Sequence, residues 1–442
     1  MIPLDALYRS LDDAVLQRLT GRVVKAVGPV LEAELPGARL GGLCLVDDRV
    51  RCEVVGFRDK RALLMPFDDS GGIAYGAVVS STGEEITAPV GDALIGRVLD
   101  GLGQPIDGKG PLETRHRRRV MNASPDPLKR APISQPLHTS VRVLDSMTPL
   151  GKGQRVCIMA GSGVGKSTLL GMVARNVTSE INVICLVGER GREVREFIEH
   201  NLGPEGMARS VLVVITGDKS PAMQVKGAFL ATTIAEHFRD QGRDVLLMMD
   251  SLTRFALAQR QIGLAAGEPP TTRGFTPSVF ALLPPLLERV GPGDREGSIT
   301  GVYTVLVEGD DINDPVADAV RGIVDGHIVL SRKLASHAHY PAVDVLGSLS
   351  RLTDRVMAPP LRNAAMVVRG VLATWKENEE LVRLGAYRKG SAADVDAAIE
   401  LMPLIEAFLQ QKTDEPMDAE QTYQLLTEIA KRAQERQLPQ KR

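Results

Sequence analysis

The chain has 442 residues, 43% of them hydrophobic and 24% charged, with a formal net charge of −2. That length and apolar content suit two to three domains with full cores, and the near-neutral balance argues against a chain whose main task is wrapping nucleic acid. No apolar run approaches a membrane-spanning length, the N-terminus lacks the pattern of a cleaved leader, and Cys44, Cys52, Cys157 and Cys185 show no CxxC or metal-ligand spacing, which fits a reducing cytosol.

The first predicted element is an amphipathic helix over residues 1–20, with Leu4, Leu7, Leu11, Val15 and Leu19 on one face. Such a helix either docks on its own protein or orders on a partner, and amphipathicity does not decide between them. Residues 21–90 read as short strands separated by Gly and Asp clusters: Arg22–Val27, Leu43–Val46, Arg51–Val55, Ala62–Pro66 and Ala77–Ser80. That pattern predicts a small β-barrel. A loop-rich connector fills 91–140 and carries the basic run Arg115–Arg119. The run could touch phosphate or a membrane surface, or serve as a solvated loop or subunit contact.

From 141 to 352 strands alternate with helices. The apolar runs Arg155–Met159, Val183–Val187, Val211–Ile215, Val245–Met249, Ile299–Val307 and His327–Leu330 predict a mostly parallel sheet covered on both faces. Cys157 and Cys185 fall inside these runs, as packing residues. Residues 353–442 read as helical, over Leu361–Leu384, Ala392–Gln411 and Asp418–Gln437, before a polar tail.

Chemistry concentrates in the central region. Val156–Ala160 is a strand, followed by Gly161-Ser162-Gly163-Val164-Gly165-Lys166-Ser167-Thr168 opening a helix. Glycines let backbone N–H groups converge on phosphate, and the helix start adds partial positive charge. Lys166 is placed to reach the β- and γ-phosphates of a nucleoside triphosphate such as ATP, and the Ser167 hydroxyl to ligate Mg²⁺. The strict pattern has Gly where this chain has Ala160. Val245–Asp250 is an apolar strand ending in a carboxylate, the type that holds Mg²⁺ directly or through water. Glu189 and Arg190 follow the strand at Val183–Val187; Glu189 can orient an attacking water, and the pair alone also reads as a surface charge cluster.

The segment Pro341-Ala-Val-Asp344 followed by Ser348-x-Ser350-Arg351, with Gly188-Glu-Arg190 and Asp250-Ser-Leu-Thr-Arg-Phe255, resembles the rotary ATPase α/β subunits and their relatives over nearly the whole chain. The resemblance implies an α/β P-loop core of the RecA/F1 type between an N-terminal β-barrel and a C-terminal helical domain. It implies that Lys166 and Ser167 bind phosphate and Mg²⁺, and that Glu189 is the catalytic carboxylate. Asp250 would be linked to Mg²⁺, Tyr340 would stack on adenine, and Arg351 would be an arginine finger reaching the neighbour's γ-phosphate. Arg190, next to Glu189, could stabilise it or bridge to a neighbouring subunit.

Within this group, Ala256–Pro270, Thr272–Phe280, Glu308–Pro315 and Asp325–Arg332 are similar to type III secretion ATPases, and Lys376–Tyr387 is most like the flagellar version. The acidic Asp-Glu-Leu-Ser-Glu-Glu-Asp stretch of rotary synthase β subunits is missing. The resemblance therefore implies an Mg²⁺-dependent ATPase energising flagellar protein export. It would be a homohexamer at the cytoplasmic face of the inner membrane, peripherally associated with it. Expected partners are a stator-like regulatory protein on the N-terminal helix, a central-stalk coiled coil, export-gate membrane proteins, chaperones and unfolded cargo, with no nucleic acid. The alternatives are a virulence-type secretion ATPase, an RNA translocase and a rotary ATPase subunit.

Overall fold

A computed structural model describes residues 19–294, 296–307 and 314–437. The amphipathic helix expected over 1–20 lies outside the described residues but for its last two. So do most of the Glu308–Pro315 motif and the polar tail from 438. The first described strand already begins at Thr20.

Six strands close a barrel: β1 (Thr20–Val27), β2 (Val30–Glu34), β3 (Leu43–Val46), β4 (Val50–Arg58), β5 (Arg61–Pro66) and β6 (Val78–Ser81), in the order β1-β2-β5-β4-β3-β6. The alternation of β5 explains how the barrel is attached. Ala62 and Leu64 point into the barrel core. Leu63 and Met65 point outward into the core of the nucleotide domain, so this strand is apolar on both faces. An ion pair from Lys226 to Glu53 at 2.6 Å, with both side chains nearly buried, ties the same contact.

The central sheet contains β7 (Val98–Leu99), β8 (Arg155–Ala160), β9 (Ile181–Glu189), β10 (Ser210–Thr216), β11 (Asp244–Asp250), β12 (Ser298–Leu306), β13 (Gly326–Leu330) and β14 (Val343–Ser350). Their order is β14-β13-β8-β12-β11-β9-β10-β7. Neighbours along this order are parallel except β14, which pairs antiparallel with β13 at the edge; off it, the two residues Gly291–Pro292 pair antiparallel with β12. Two of these strands were absent from the sequence reading. Val98–Leu99 is two residues long, and Val343–Ser350 carries Asp, Gly and two Ser. Successive residues of β8 serve opposite faces. Val156, Ile158 and Ala160 join one core with helix α1 (Lys166–Asn176). Cys157 and Met159 join the other, with α2 (Pro221–Asp240) and α3 (Leu252–Ala266). Both strand cysteines are fully buried free thiols, as their apolar context predicts.

The C-terminal region packs α4 (Pro359–Arg383), α5 (Ala393–Leu409) and α6 (Ala419–Gln437) onto the α1 face of the sheet. The basic run is tied down locally. Arg117–Arg119 pairs with Thr87–Pro89, Arg117 donates to the Thr87 hydroxyl at 2.7 Å, Arg118 meets Asp240 and Arg119 meets Glu85.

Behind that run, Arg289 is 1% exposed. It makes a two-pronged contact with Glu236 at 2.7 and 2.6 Å and donates to the Val120 carbonyl at 2.8 Å. Removing one partner of a buried pair strands the other charge. Glu236→Gln is expected to cost about 3–5 kcal/mol, read from urea unfolding, whereas replacing both residues by Met and Leu costs much less. A loss under about 1 kcal/mol for the single variant would show the charge finds another partner.

Candidate active site

The site is built at the C-terminal ends of adjacent parallel strands, where successive loops converge. β8 ends at Ala160, whose side chain is fully buried in the α1-face core, so a methyl is accommodated where the strict pattern has Gly. The chain then turns through Gly163 at φ +77° and Gly165 at φ +91°. Both lie in the left-handed region that favours glycine. Gly165 is the N-cap of α1 and supplies no side-chain cap, so the first N–H groups of the helix are available to an anion.

Lys166, the first residue of α1, is drawn to two carboxylates. Its Nζ is in close contact with Asp250 Oδ1 and lies 3.8 Å from Glu189 Oε1. Those acids end β11 and β9, which are neighbours with Leu186 opposite Asp250. Burial, the Asp250 charge and a hydrogen bond with Glu193 push the Glu189 carboxyl up to about 7, against the opposing pull of Lys166. One further group joins them. Thr304, inside β12, donates its hydroxyl to Asp250 Oδ1 at 2.7 Å.

These residues open on a cleft of about 630 Å³ that takes in Gly161, Ser162, Gly163, Gly165, Lys166, Ser167, Thr168, Glu189 and Arg190. Val164 lies behind the loop, buried in the core. Arg254, Thr253 and Arg332 also line the cleft; they lie inside the segments Asp250–Phe255 and Asp325–Arg332 quoted from sequence, where no site role was given to them. Their signal was faint. Ser251 and Thr253 look like ordinary helix-start residues: the Ser251 hydroxyl caps α3, accepting from Arg254 N, and the Thr253 hydroxyl accepts from Leu306 N at 2.8 Å. The Arg190 side chain is exposed on the rim, 3.7 Å from Glu193.

The oxygen set suits a small hard cation: the Ser167 hydroxyl lines the cleft and the Asp250 carboxylate stands behind Lys166. Among the described residues no group of three or more His, Cys, Asp or Glu is placed to hold a metal alone. An ion here would complete its shell with phosphate and water, the habit of Mg²⁺.

Tyr340 lies over the loop. A Cβ placed on Gly165 would sit 3.4 Å from two of its ring carbons, and the side chain is 44% exposed. Its carbonyl accepts from the backbone N of Gln411 at 2.9 Å, just past the end of α5. The Gln411 side chain is buried and saturated. It accepts from Arg142 N at 2.8 Å and donates to Ser140 O at 2.8 Å and Glu415 O at 2.6 Å.

Arg351 is not part of this cleft. Its N–H donates to Asp325 O at 2.9 Å, and Asp325 N–H donates to Arg155 O at 2.8 Å. Arg351 therefore lies level with the first residue of β8, whereas the phosphate loop follows the last. Five residues of strand separate the two levels by about 16 Å. The Arg351 side chain is exposed and donates to Arg321 O at 3.2 Å.

Three family models match the chain: "ATP synthase alpha/beta family, beta-barrel domain" over 23–83, its nucleotide-binding domain over 140–350, and "T3SS EscN ATPase C-terminal domain" over 357–428. The flagellum-specific ATP synthase of Bacillus subtilis (strain 168) is 49% identical over 92% of this chain and 94% of its own length. The type 3 secretion system ATPase of Xanthomonas euvesicatoria is 50% identical over 96% and 97%. Among solved structures, the assembled ATPase EscN of the enteropathogenic E. coli type III secretion system superposes with a TM-score of 0.90 at 44% identity. The match covers 93% of this chain and 100% of that one. EscN in complex with its central stalk EscO gives 0.86 at 43%, with the same coverage.

The raised carboxyl can be observed directly. In a pH-titrated infrared difference between the wild-type chain and Glu189→Gln, one carboxyl band is expected to ionise as pH rises through about 7. Asp250→Asn removes the like charge and should shift that band's midpoint downward. A band already ionised at pH 5 would show that Lys166 overrides burial.

Proposed function

Because the chain belongs to the ATP synthase alpha/beta family, and within it to the type III secretion ATPases, we propose that it hydrolyses ATP to energise protein export through the flagellar apparatus. The observation that carries the hydrolytic reading is the placement of Lys166 at the mouth of the phosphate loop against Asp250 and Glu189. The flagellar branch rests on the Lys376–Tyr387 segment and on relatives such as that of B. subtilis. A virulence-type secretion ATPase is the alternative, favoured by the similarity to the Xanthomonas protein.

In this reading ATP enters with its phosphates in the loop of Gly161–Thr168 and its adenine against the Tyr340 ring, whose exposed face offers a π-platform. Lys166 turns from Asp250 toward the β- and γ-phosphates. Mg²⁺, when bound through Ser167 and Asp250, neutralises charge on the phosphate oxygens. Glu189 positions a water for in-line attack on the γ-phosphorus. The new P–O bond forms as the bond to the β,γ-bridging oxygen breaks, giving ADP and phosphate, and Glu189 is the nearest base for the water's proton. A base must be ionised to act, and Glu189 ionises only near neutral pH. Arg190, on the rim, stabilises Glu189 or reaches a neighbouring subunit.

Arg351 lies too far from its own loop to serve it. That supports its use as a finger for the adjacent subunit of a homohexamer, a role that in related chemistry is worth ~10³–10⁵ in rate. The assembled form of EscN and its complex with a central stalk support the same assembly and a coiled-coil stalk partner here. A stator-like protein on the N-terminal segment, chaperones, unfolded cargo and export-gate proteins complete the set. The proposed location, peripheral at the cytoplasmic face of the inner membrane, rests on the likeness to flagellar and type III secretion ATPases; among the described residues no helix is long and apolar enough to cross a membrane. Local pairing of Arg118 and Arg119 with Asp240 and Glu85 weighs against an RNA translocase.

Turnover per chain, followed against concentration with mass from light scattering, should rise steeply as hexamers form. Flat turnover from a monomer would remove Arg351 from the mechanism. Glu189→Gln should keep ATP binding while turnover drops by ~10²–10⁴. In the wild type the acid limb of kcat/KM should fall below about pH 7. Arg351→Ala should bind nucleotide without turning it over, and mixing it with Glu189→Gln subunits should restore activity at mixed interfaces. Well-assembled mixtures that stay inactive would argue against a finger acting in trans.

A further inference from the structure

Most of the polar side chains at the site sit on loops or helix starts. Thr304 does not. It is a fully buried residue inside β12, two residues before its end and between Tyr303 and Val305, apart from the buried Ser298 and Thr300 at the strand's start. Its strand runs between β8, where Thr304 pairs with Ile158, and β11, which ends in Asp250. Its hydroxyl has one proton to give. It lies 2.7 Å from Asp250 Oδ1 and 3.4 Å from the Met249 carbonyl. The shorter, charge-assisted contact is the stronger.

The oxygen it reaches is the one Lys166 also holds. Asp250 is 5% exposed, so a carboxylate oxygen that lost its partner there would be left without one, at a cost. Lys166 is the residue that must leave when triphosphate arrives. Thr304, fixed by its strand, cannot leave.

We infer that Thr304 is a positioning residue that holds Asp250 Oδ1 while Lys166 transfers to phosphate. The carboxylate then keeps one orientation, with its other oxygen available to the nucleotide's cation. This rests on the proposed reading of Asp250 as linked to Mg²⁺. It adds that the linkage depends on a hydroxyl one strand away. Thr304 touches neither substrate nor metal in this account; it acts only through Asp250.

The test is the Mg²⁺ dependence of nucleotide binding, followed with a fluorescent ATP analogue at equilibrium, in EDTA and across a Mg²⁺ titration. Thr304→Val keeps the shape and removes the hydroxyl. It is expected to bind the analogue in EDTA like the wild type and to need about tenfold more Mg²⁺ for the half-maximal effect, since a hydrogen bond to a charged group is lost. Thr304→Ser should restore the wild-type midpoint. If the Val chain does not fold, Thr304→Ser and Thr304→Ala, which both lose the methyl and differ in the hydroxyl, carry the same comparison. Hydroxyl-free variants with the wild-type Mg²⁺ midpoint would overturn the inference while leaving Asp250's role intact. A wild-type chain whose nucleotide binding ignores Mg²⁺ would overturn both.

Discussion

A largely buried lysine ammonium held between two carboxylates is the interaction on which the rest of this molecule depends. Lys166 can face both Asp250 and Glu189 only because a parallel sheet brings the ends of β8, β9 and β11 to one side. Burial and the neighbouring Asp250 charge push the Glu189 carboxyl up to about 7. The cleft thus holds a cation that is already satisfied, and a triphosphate must compete for it. Binding exchanges one anionic partner for another, which is less costly than placing charge in an unprepared pocket.

The C-terminal helices share in this arrangement through one amide. Gln411 joins the end of α5 to Ser140 and Arg142 through its side chain and to the Tyr340 carbonyl through its backbone. Tyr340 in turn covers Gly165. A tilt of the helices that moves Gln411 must also move the ring over the phosphate loop, or break a saturated buried network. On the proposed reading of Tyr340 as the adenine platform, nucleotide occupancy and helix position would be linked in both directions.

Much of the fold was legible because its signals are local. The apolar runs of β8 to β13 carried enough branched residues to be read one by one, and the observed bounds differ from each by no more than two residues at either end. The glycine loop was legible because phosphate chemistry demands φ values that few residues tolerate. What escaped reading depends on distant partners. Val30–Glu34, just after Gly28-Pro29, was not among the strands read from sequence, yet it completes the barrel. Thr304 is one polar residue in an apolar run, and only the register of β12 against β11 gives it meaning. The remoteness of Arg351 from its own loop follows from the antiparallel return of β14, which no spacing in the sequence reveals.

That return has an architectural consequence. Loop and finger lie at opposite ends of the strands of one sheet, so a two-fold pair of chains cannot engage both at once. The proposed contact is head-to-tail and repeats with a constant sense. An open row of subunits always ends in a loop that no finger reaches, and only closure removes that loose end. The ring then has a direction, like teeth on a ratchet. A single subunit defective in both parts silences its own site and its neighbour's, so such a subunit would poison the ring out of proportion to its number.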